Sequence, residues 1–352
     1  MYKLIVRPLL FSFDPEWVHY FILNALRIVN KIPLTSWLLR RIYSYENSVL
    51  EKELFGIKFK NPVGLAAGFD KNGKYISELS NLGFGFIEIG TITPNPQPGN
   101  PKKRLFRVQN DLAIINRLGI NNDGSEVCAE RLKKNKTDLI IGGNIGKNTF
   151  TSNENADKDY IQNFETLHNY VDYFVLNVSC PNVSNFTKLQ DVEFLKKLIP
   201  QLKKINSSKS KKKPILIKIS PDLNKDQLDE TINLILSENL DGIIATNTTT
   251  SRENLITKKS EIEEIGNGGL SGQPLKEKST EVIRYISKKT NGKLPIIGVG
   301  GIMTAKDAMD KLEAGADLIQ IYTGFIYSGP SIVKNINKLI SKNSYKDQGS
   351  SL

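Results

Sequence analysis

Cysteine, histidine and long apolar runs are scarce in this chain of 352 residues, which holds two cysteines and two histidines. Cys128 and Cys180 cannot form a disulfide framework, so we expect a reducing compartment. No grouping of cysteine and histidine has the spacing of a zinc site, so no metal is predicted. No uninterrupted apolar segment could span a bilayer, and Pro8 and Asp14 break up the N-terminal stretch that a signal peptide would need.

Acidic residues are outnumbered by basic ones, which gives a formal net charge of +11 and a pI near 9.3. The densest basic run, Lys209 to Lys213, lies in a serine-rich stretch typical of a solvated loop. Because no nucleic-acid motif or interleaved aromatic pattern accompanies the charge, no nucleic acid is expected as a partner. The hydrophobic content of 39% predicts a soluble globular core, and the length allows two ordinary domains or one large α/β barrel.

Both tryptophans lie in residues 1–48, in two segments with helical periodicity. Asp14 is predicted to cap the first helix with Pro15 at its first position, and the second helix follows Pro33. The cations that accompany Trp17 and Trp37 are Lys3, Arg7, Arg27, Lys31, Arg40 and Arg41. This pattern fits either an interfacial helical hairpin that rests on anionic lipid or a hairpin packed on the main domain.

From residue 49 to residue 342, short apolar segments alternate with helical ones. The predicted helices include Glu193–Lys204, Lys225–Ser237, Lys276–Lys289 and Ala305–Ala314. The eight strand candidates are Pro62–Ala66, Gly85–Ile89, Leu139–Gly143, Tyr173–Leu176, Ile215–Ile219, Gly242–Ala245, Ile296–Val299 and Leu318–Ile321. Eight strand-and-helix units in one series predict a (β/α)8 barrel of the α/β class, with a doubly wound sheet as the alternative. Residues 343–352 are predicted to form a polar tail.

Polar or small residues follow all of these strands, at the end where a barrel keeps its chemistry. They are Ala67, Gly68 and Lys71 after the first strand, then Thr91, Asn144, Asn177, Lys218, Thr246 with Asn247 and Thr248, Gly300 with Gly301, and Tyr322 with Thr323. Packing alone does not explain them, because buried polar groups need partners. The pattern therefore predicts a ligand site at this face.

The glycines after the seventh strand and the Thr-Gly pair after the eighth predict a phosphate site. Gly300-Gly301 and Thr323-Gly324 offer backbone N–H groups, and Ser271-Gly272 can add a third donor loop. Flavin mononucleotide (FMN) fits, because the other loops would surround a larger planar group. Lys218 would then stand near the flavin edge that gains negative charge on reduction.

The hexapeptide from Asn177 to Asn182 places the thiol of Cys180 between two carboxamides at the end of a strand. The asparagines can bond an imide-like ring, and the thiolate could act as a base on it. The alternative interpretation is a buried cysteine before a Pro-Asn turn.

Together these motifs resemble the dihydroorotate dehydrogenases, and among them the class 2, membrane-associated, quinone-linked branch. The resemblance implies an enzyme that holds one FMN per chain and oxidises (S)-dihydroorotate to orotate in pyrimidine biosynthesis. The motifs that carry it span nearly the whole chain: Phe13 to Glu16, Gly64 to Gly73, Gly90 to Pro94, Pro96 to Pro101, Arg104 to Arg107, Ile115 to Arg117, Asn177 to Asn182, Thr246 to Thr249 and Gly269 to Gly272.

The resemblance also implies a role for each site residue. Cys180 would be the base that takes a proton from C5 of the substrate as a hydride leaves C6. Lys71 would face the substrate carboxylate, and the pyrimidine ring would bond Asn116, Asn177, Asn182, Asn247 and Thr248. FMN would be held by Ala67, Gly68, Thr91, Asn144, Asn177, Lys218, Thr246, Ser271, Gly272, Gly300, Gly301, Tyr322 and Thr323.

In class 2 enzymes, electrons pass to a quinone that enters between the N-terminal helices. Arg107 and Tyr322 match family positions near the inner end of that tunnel, and residues 1–48 would form its mouth and rest on an anionic membrane surface. For a bacterial chain, the resemblance implies a peripheral protein on the cytoplasmic face of the inner membrane, with no obligatory protein partner. His19 and His168 are interpreted as structural.

Three positions depart from the class 2 pattern. Class 2 enzymes usually carry serine in place of Cys180 and commonly threonine in place of Val183, and many have phenylalanine in place of Ile120. The alternative is therefore a class 1-like flavin dehydrogenase that uses fumarate or another soluble acceptor, and a third hypothesis is a non-catalytic, phosphate-binding membrane scaffold. The N-terminal extension and the Pro96–Arg107 segment favour class 2.

Overall fold

The computed structural model describes residues 2–178 and 192–349. Its strands, numbered along the chain, are β1 (Lys52–Leu54), β2 (Ile57–Phe59), β3 (Val63–Leu65), β4 (Phe86–Ile92), β5 (Leu105–Val108), β6 (Ala113–Asn116), β7 (Ile140–Ile145), β8 (Tyr173–Asn177), β9 (Ile215–Ile219), β10 (Gly242–Ala245), β11 (Gly269–Gly272), β12 (Ile296–Val299) and β13 (Leu318–Ile321). Its helices are α1 (Arg7–Phe11), α2 (Pro15–Asn30), α3 (Thr35–Tyr43), α4 (Ile76–Leu79), α5 (Ser125–Lys133), α6 (Ala156–Leu167), α7 (Val192–Ser208), α8 (Lys225–Ser237), α9 (Lys259–Ile265), α10 (Lys276–Lys289), α11 (Ala305–Glu313), α12 (Thr323–Ser328) and α13 (Ser331–Gly349).

Eight parallel strands form a closed barrel in the order β3, β4, β7, β8, β9, β10, β12, β13. The ring closes where β13 pairs with β3, with Ile319 opposite Val63. The predicted (β/α)8 barrel and its eight strands are confirmed, although β4 and β7 run on to Ile92 and Ile145. Helices cover the outside of these strands and side chains fill the inside, which explains why their sequences are almost continuously apolar.

Large side chains fill the barrel interior towards the amino ends of the strands. Phe86, Tyr173, Leu216 and Leu318 are all 0% exposed and belong to one core cluster. The β1–β2 hairpin joins this cluster through the buried ring of Phe59, so it covers that end of the barrel. The space for a ligand is therefore at the opposite, carboxyl end of the strands.

A separate three-stranded antiparallel sheet was not predicted. Its strands pair in the order β11, β6, β5. Asn116 on β6 lies opposite Gly269 on β11, and Ser271 lies opposite Ile114. The sheet therefore brings together two predicted site residues that are far apart in the sequence.

The N-terminal helices pack against the barrel through α2. The carboxylate of Asp14 caps α2 by accepting a hydrogen bond from the Trp17 backbone N–H at 2.9 Å, and Pro15 is the first helical residue, as predicted. Leu23 of α2 is 3% exposed and belongs to the main core. Within residues 2–178 and 192–349, no helix combines the length and the apolar character needed to cross a bilayer.

A buried ion pair joins α2 to the loop before β5. Arg104 donates to both carboxylate oxygens of Glu16, at 2.7 Å from Nη2 to Oε1 and 3.1 Å from Nε to Oε2. Its Nη1 donates to the carbonyls of Pro98 and Asn100. Burial opposes the ionisation of Glu16, but the hydrogen bonds and charge of Arg104 outweigh it and lower the pKa of this carboxyl. The pair fixes α2 firmly, since separating a buried pair would leave an uncompensated charge.

Candidate active site

A cavity of about 1070 Å³, counting the space at its mouth, opens at the carboxyl ends of the barrel strands. Every predicted substrate or cofactor residue that the structure describes lines it, namely Ala67, Gly68, Lys71, Thr91, Asn116, Asn144, Asn177, Lys218, Thr246, Asn247, Thr248, Ser271, Gly272, Gly300, Gly301, Tyr322 and Thr323. The other two, Cys180 and Asn182, lie outside the described residues.

A buried carboxylate, Glu88, stands behind the cavity wall and was not predicted. Glu88 is 0% exposed; its Oε1 accepts a hydrogen bond from Asn144 Nδ2 at 2.7 Å, and its Oε2 accepts one from Gln320 Nε2 at 2.5 Å. Lys218 Nζ lies 3.6 Å from Oε1. All three partners line the cavity. The available sequence signal was a charged residue within the apolar β4, at an alternate position that faces the barrel interior.

Hydrogen bonds continue from Glu88 across the cavity wall through what we call the amide relay: Glu88, Asn144, Thr91, Asn177 and Asn247. The Thr91 hydroxyl donates to Asn144 Oδ1 at 2.6 Å. Asn177 Nδ2 donates to Thr91 Oγ1 at 2.7 Å, and Asn247 Nδ2 donates to Asn177 Oδ1 at 3.4 Å. The relay therefore connects predicted cofactor residues to predicted substrate residues through fixed side-chain orientations.

The loop after β3 holds Lys71 at the cavity wall. The carboxylate of Asp70 accepts hydrogen bonds from the backbone N–H groups of Lys74 at 2.9 Å and Tyr75 at 2.7 Å, which fixes the loop. Lys71 Nζ donates to the Gly68 carbonyl at 2.8 Å. Burial lowers the pKa of Lys71 to about 8. The ammonium form is thus available at neutral pH, and a half-buried cation at a cavity wall favours an anionic ligand.

A second unpredicted carboxylate, Asp222, positions the loop that carries Asn247 and Thr248. Asp222 Oδ1 accepts from the Thr249 hydroxyl at 2.5 Å, and its Oδ2 accepts from the Thr250 backbone N–H at 2.7 Å. Lys278 Nζ lies 2.6 Å from Oδ1. Asp222 follows β9 whereas the threonines follow β10, so the carboxylate ties neighbouring loops together.

Closely packed glycines form the end of the cavity near β12 and β13. Gly300 and Gly301 have φ angles of +125° and +71°. A Cβ at Gly300 would lie 2.9 Å from Ser279 Cβ, and one at Gly301 would lie 2.3 Å from Lys276 Cα. Only glycine fits this backbone, and close backbone approach with free N–H groups is what a phosphate needs.

The donor set at the cavity fits FMN. The hydroxyls of Ser271 and Thr323 lie 2.8 Å apart beside the glycines. A phosphate at this end of the cavity would therefore meet hydroxyl groups as well as backbone N–H groups. Farther along the wall, the amide of Asn144 and the ammonium of Lys218 offer polar contacts to a planar ring. The residues present therefore match a phosphate at one end and a flavin ring at the other.

Aromatic rings connect α2 to the cavity. The ring of His19 contacts Phe69 edge to face with centroids 4.9 Å apart, and Phe69 contacts Tyr322 in the same way at 5.5 Å. Burial lowers the pKa of His19 to about 3, so the imidazole is neutral. Tyr322 in turn lines the cavity. The contacts form a continuous aromatic connection from the N-terminal helix to the predicted cofactor site.

Arg107, the other predicted quinone residue, contacts the segment before α2. Its Nη1 donates to the carbonyls of Phe11 at 3.2 Å and Phe13 at 2.7 Å, and its guanidinium lies 4.4 Å from the centroid of the Phe11 ring. Of the two predicted quinone residues, Tyr322 lines the cavity and Arg107 is not among the described residues that do so. Arg107 instead fixes the N-terminal segment to β5.

Comparisons with known proteins agree in family and in fold. Residues 49–343 match the family model described as dihydroorotate dehydrogenase. The dihydroorotate dehydrogenase (quinone) of Christiangramia forsetii is 57% identical over 97% of this chain and 98% of its own length, and that of Trichodesmium erythraeum is 46% identical over 96% and 93%. The crystal structure of DHODH from Eimeria tenella in complex with ferulenol is 34% identical, with a TM-score of 0.82, and the match covers 96% of this chain and 93% of that one. The chain therefore belongs to the dihydroorotate dehydrogenase family.

Proposed function

We propose that this protein oxidises (S)-dihydroorotate to orotate in pyrimidine biosynthesis, with FMN as cofactor and quinone as electron acceptor. The observation that carries the proposal is the convergence of Lys71, Asn116, Asn177 and Asn247 on one cavity whose far end has a phosphate-binding backbone. Relatives of nearly the same length that are named dihydroorotate dehydrogenase (quinone) support it.

The substrate would be held by groups that match its polar ring. Amides both donate and accept, so Asn116, Asn177, Asn182 and Asn247 can satisfy alternating donors and acceptors around a pyrimidine, and Thr248 can add a hydroxyl. The ammonium of Lys71 would neutralise the substrate carboxylate. Cys180 would take the proton from C5, and its thiolate is the form able to do so.

FMN would be held by the loops that end the barrel strands. Its phosphate would contact Ser271, Gly272, Gly300, Gly301 and Thr323, and the remaining cofactor residues are Ala67, Gly68, Thr91, Asn144, Asn177, Lys218, Thr246 and Tyr322. Bound there, FMN would supply the acceptor for the hydride that leaves C6 of the substrate and the link for electrons to quinone. The charge of Lys218 would stabilise the flavin edge that becomes electron-rich.

Quinone would approach through the N-terminal helices, which we propose as one unit, residues 1–48, beside the barrel of residues 49–342 and the tail of residues 343–352. The aromatic connection from His19 through Phe69 to Tyr322 supports this route. Arg107 would act on the route by fixing the segment before α2. The alternative acceptors, fumarate and other soluble oxidants, are not favoured, since they need no apolar entrance.

The exposed face of the N-terminal helices supports peripheral docking on an anionic membrane. Trp17 is 52% exposed and Trp37 is 56% exposed, and the Arg41 guanidinium lies 5.3 Å from the Trp37 ring centroid. Exposed aromatic rings beside cations are typical of helices that rest at a lipid surface. In a bacterial cell this surface would be the cytoplasmic face of the inner membrane, and no obligatory protein partner is proposed.

The proposed reaction is tested by anaerobic spectroscopy of the purified protein. We expect a yellow protein whose flavin absorbance is bleached by (S)-dihydroorotate and restored by a water-soluble quinone, with orotate as product. Fumarate should leave the bleached protein unchanged. A colourless protein, or a yellow one that dihydroorotate does not bleach, would contradict the proposal.

The pKa of Lys71 gives a pH dependence for orotate binding. An anion needs the ammonium form, which is present below about pH 8 and is lost above it, so the dissociation constant of orotate should rise by up to about tenfold per pH unit above this value. Binding is measured through flavin absorbance in Cys180→Ala, so that no active-site thiol titrates in the same range. Lys71→Arg in that background is the control, because arginine stays charged and its profile should be flat. Parallel profiles in the two proteins would exclude Lys71 as the titrating group.

A further inference from the structure

We propose that Glu88 is a positioning residue of the active site, whose carboxylate orients the amide relay and balances the charge of Lys218. Glu88 is fully buried, while its partners Asn144, Lys218 and Gln320 line the cavity. It would therefore act through the residues that contact cofactor and substrate. The inference rests on the proposed function.

The direction of every hydrogen bond in the amide relay follows from the charge of Glu88. A carboxylate oxygen only accepts, so Asn144 must turn its NH₂ group towards Glu88 and leave Oδ1 for Thr91. The Thr91 proton is used in that bond, so Thr91 Oγ1 accepts from Asn177 Nδ2. Asn177 consequently presents its Oδ1, and not its NH₂ group, to Asn247. The donor and acceptor atoms of these asparagines would therefore be fixed in orientation before a ligand binds.

Glutamine at position 88 would remove this constraint without changing the size of the side chain. Its amide can donate as well as accept, so Asn144 could present either side to it. If the side-chain amide of Asn144 reversed, its NH₂ group would face the Thr91 hydroxyl, which could no longer donate to it. Thr91 would then change its hydrogen bonds, and the orientation of the Asn177 amide would change with them. The orientation of the asparagine amides at the substrate end of the relay therefore depends on a charge that lies several hydrogen bonds away.

The same carboxylate sets the charge beside the cofactor site. The side chains of Glu88 and Lys218 are 0% and 7% exposed, and their charged groups lie 3.6 Å apart. Water screens such buried charges weakly, so their fields reach into the cavity. Loss of the carboxylate would remove a negative charge from beside a flavin that gains negative charge on reduction. The reduced flavin would become more stable relative to the oxidised one.

Three variants of the full chain separate the two effects. The midpoint potential of bound FMN is measured by anaerobic titration against a reference dye, and orotate affinity is measured through flavin absorbance. At a fixed potential, Glu88→Gln should raise the ratio of reduced to oxidised FMN about tenfold. This corresponds to an upward shift of the midpoint potential by about 30 mV for a two-electron couple. The substitution should also weaken orotate binding about tenfold.

Thr91→Val cuts the relay without changing any charge, so it should weaken orotate binding but shift the potential clearly less than Glu88→Gln does. Thr231→Val is the matched control, since Thr231 is buried on α8, outside the barrel strands, and its hydroxyl donates to the Gln227 carbonyl of its own helix. It should change neither quantity.

Parent-like potential and orotate affinity in Glu88→Gln would overturn the proposal, and so would the same shift in Thr231→Val. If Glu88→Gln does not retain FMN, Thr91→Val still decides the orientation argument, because parent-like orotate binding in that variant would sink it. A parent protein that binds neither FMN nor orotate would instead contradict the proposed function, so the two failures are distinguishable.

Discussion

Replacing Cys180 with alanine should abolish flavin bleaching by dihydroorotate while orotate still binds. The side chain at position 180 is proposed to remove the C5 proton, and a positioned general base typically contributes about 10²- to 10⁴-fold to the rate. The rate of bleaching in anaerobic stopped-flow mixing should fall by a factor in this range. Orotate binding depends on the amides and Lys71, so its dissociation constant should change little.

The serine variant tests the chemistry of the base and not only its presence. A thiol has a reference pKa of about 8.5, whereas an alcohol holds its proton far more tightly. At saturating dihydroorotate, which offsets the loss of charge on Lys71, the bleaching rate of the parent protein should therefore rise with pH as the thiol ionises and then level off. Cys180→Ser should retain some activity, with its profile displaced to higher pH.

The second cysteine of the chain supplies the matched control. Cys128 is buried on α5, and burial raises the pKa of its thiol to about 12, so it carries no reactive thiolate. Cys128→Ala should bleach at the rate of the parent protein. Full activity in Cys180→Ala, or equal loss in both alanine variants, would remove Cys180 from the mechanism.

The barrel could be predicted from the sequence because strands buried on both faces leave a continuous apolar signal. Ile215–Ile219, Gly242–Ala245 and Ile296–Val299 have the predicted bounds. The separate sheet of β5, β6 and β11 could not be predicted in the same way. Its strands do not belong to the repeating series of strands and helices that identified the barrel, and β11 contains two glycines, which weaken a strand pattern.

The residues at the cavity wall could be predicted because parallel strands bring their carboxyl ends to one face. The two carboxylates that hold these residues in place could not be predicted in this way. Glu88 and Asp222 bond to residues that follow other strands, so their partners depend on how the barrel closes. A charge within an apolar strand signals that a partner exists but does not identify it. The sequence predicted a structural role for His19 but not its ring contact with Phe69, which depends on the docking of α2.

Deleting residues 1–45 should separate the two half-reactions. Every described residue that lines the cavity falls between Ala66 and Gly324, so the contacts to substrate and FMN should survive the deletion. Loss of Glu16 leaves Arg104 without its buried partner, so the free energy of unfolding should fall. Bleaching by dihydroorotate should stay within a few-fold of the full chain. Quinone reduction should fall about a hundredfold or more, the scale of loss expected when a reactant is no longer positioned. Both rates are measured anaerobically on the same FMN-loaded preparation.

A pair of charge variants in the full chain then tests whether the same helices dock on a membrane. Arg40 and Arg41 are exposed near Trp37, and each cation near an anionic surface is worth about 1 kcal/mol, so the double change to glutamine should weaken binding to anionic vesicles by about 30-fold. The control changes Lys211 and Lys212, which are exposed on the loop after α7, to glutamine and should leave vesicle binding near the parent value. The arginine variant should lose turnover with quinone held in vesicles and keep it with a water-soluble quinone. Undiminished quinone turnover in the deletion would refute the entrance, and equal vesicle binding by both charge variants would refute docking through this face.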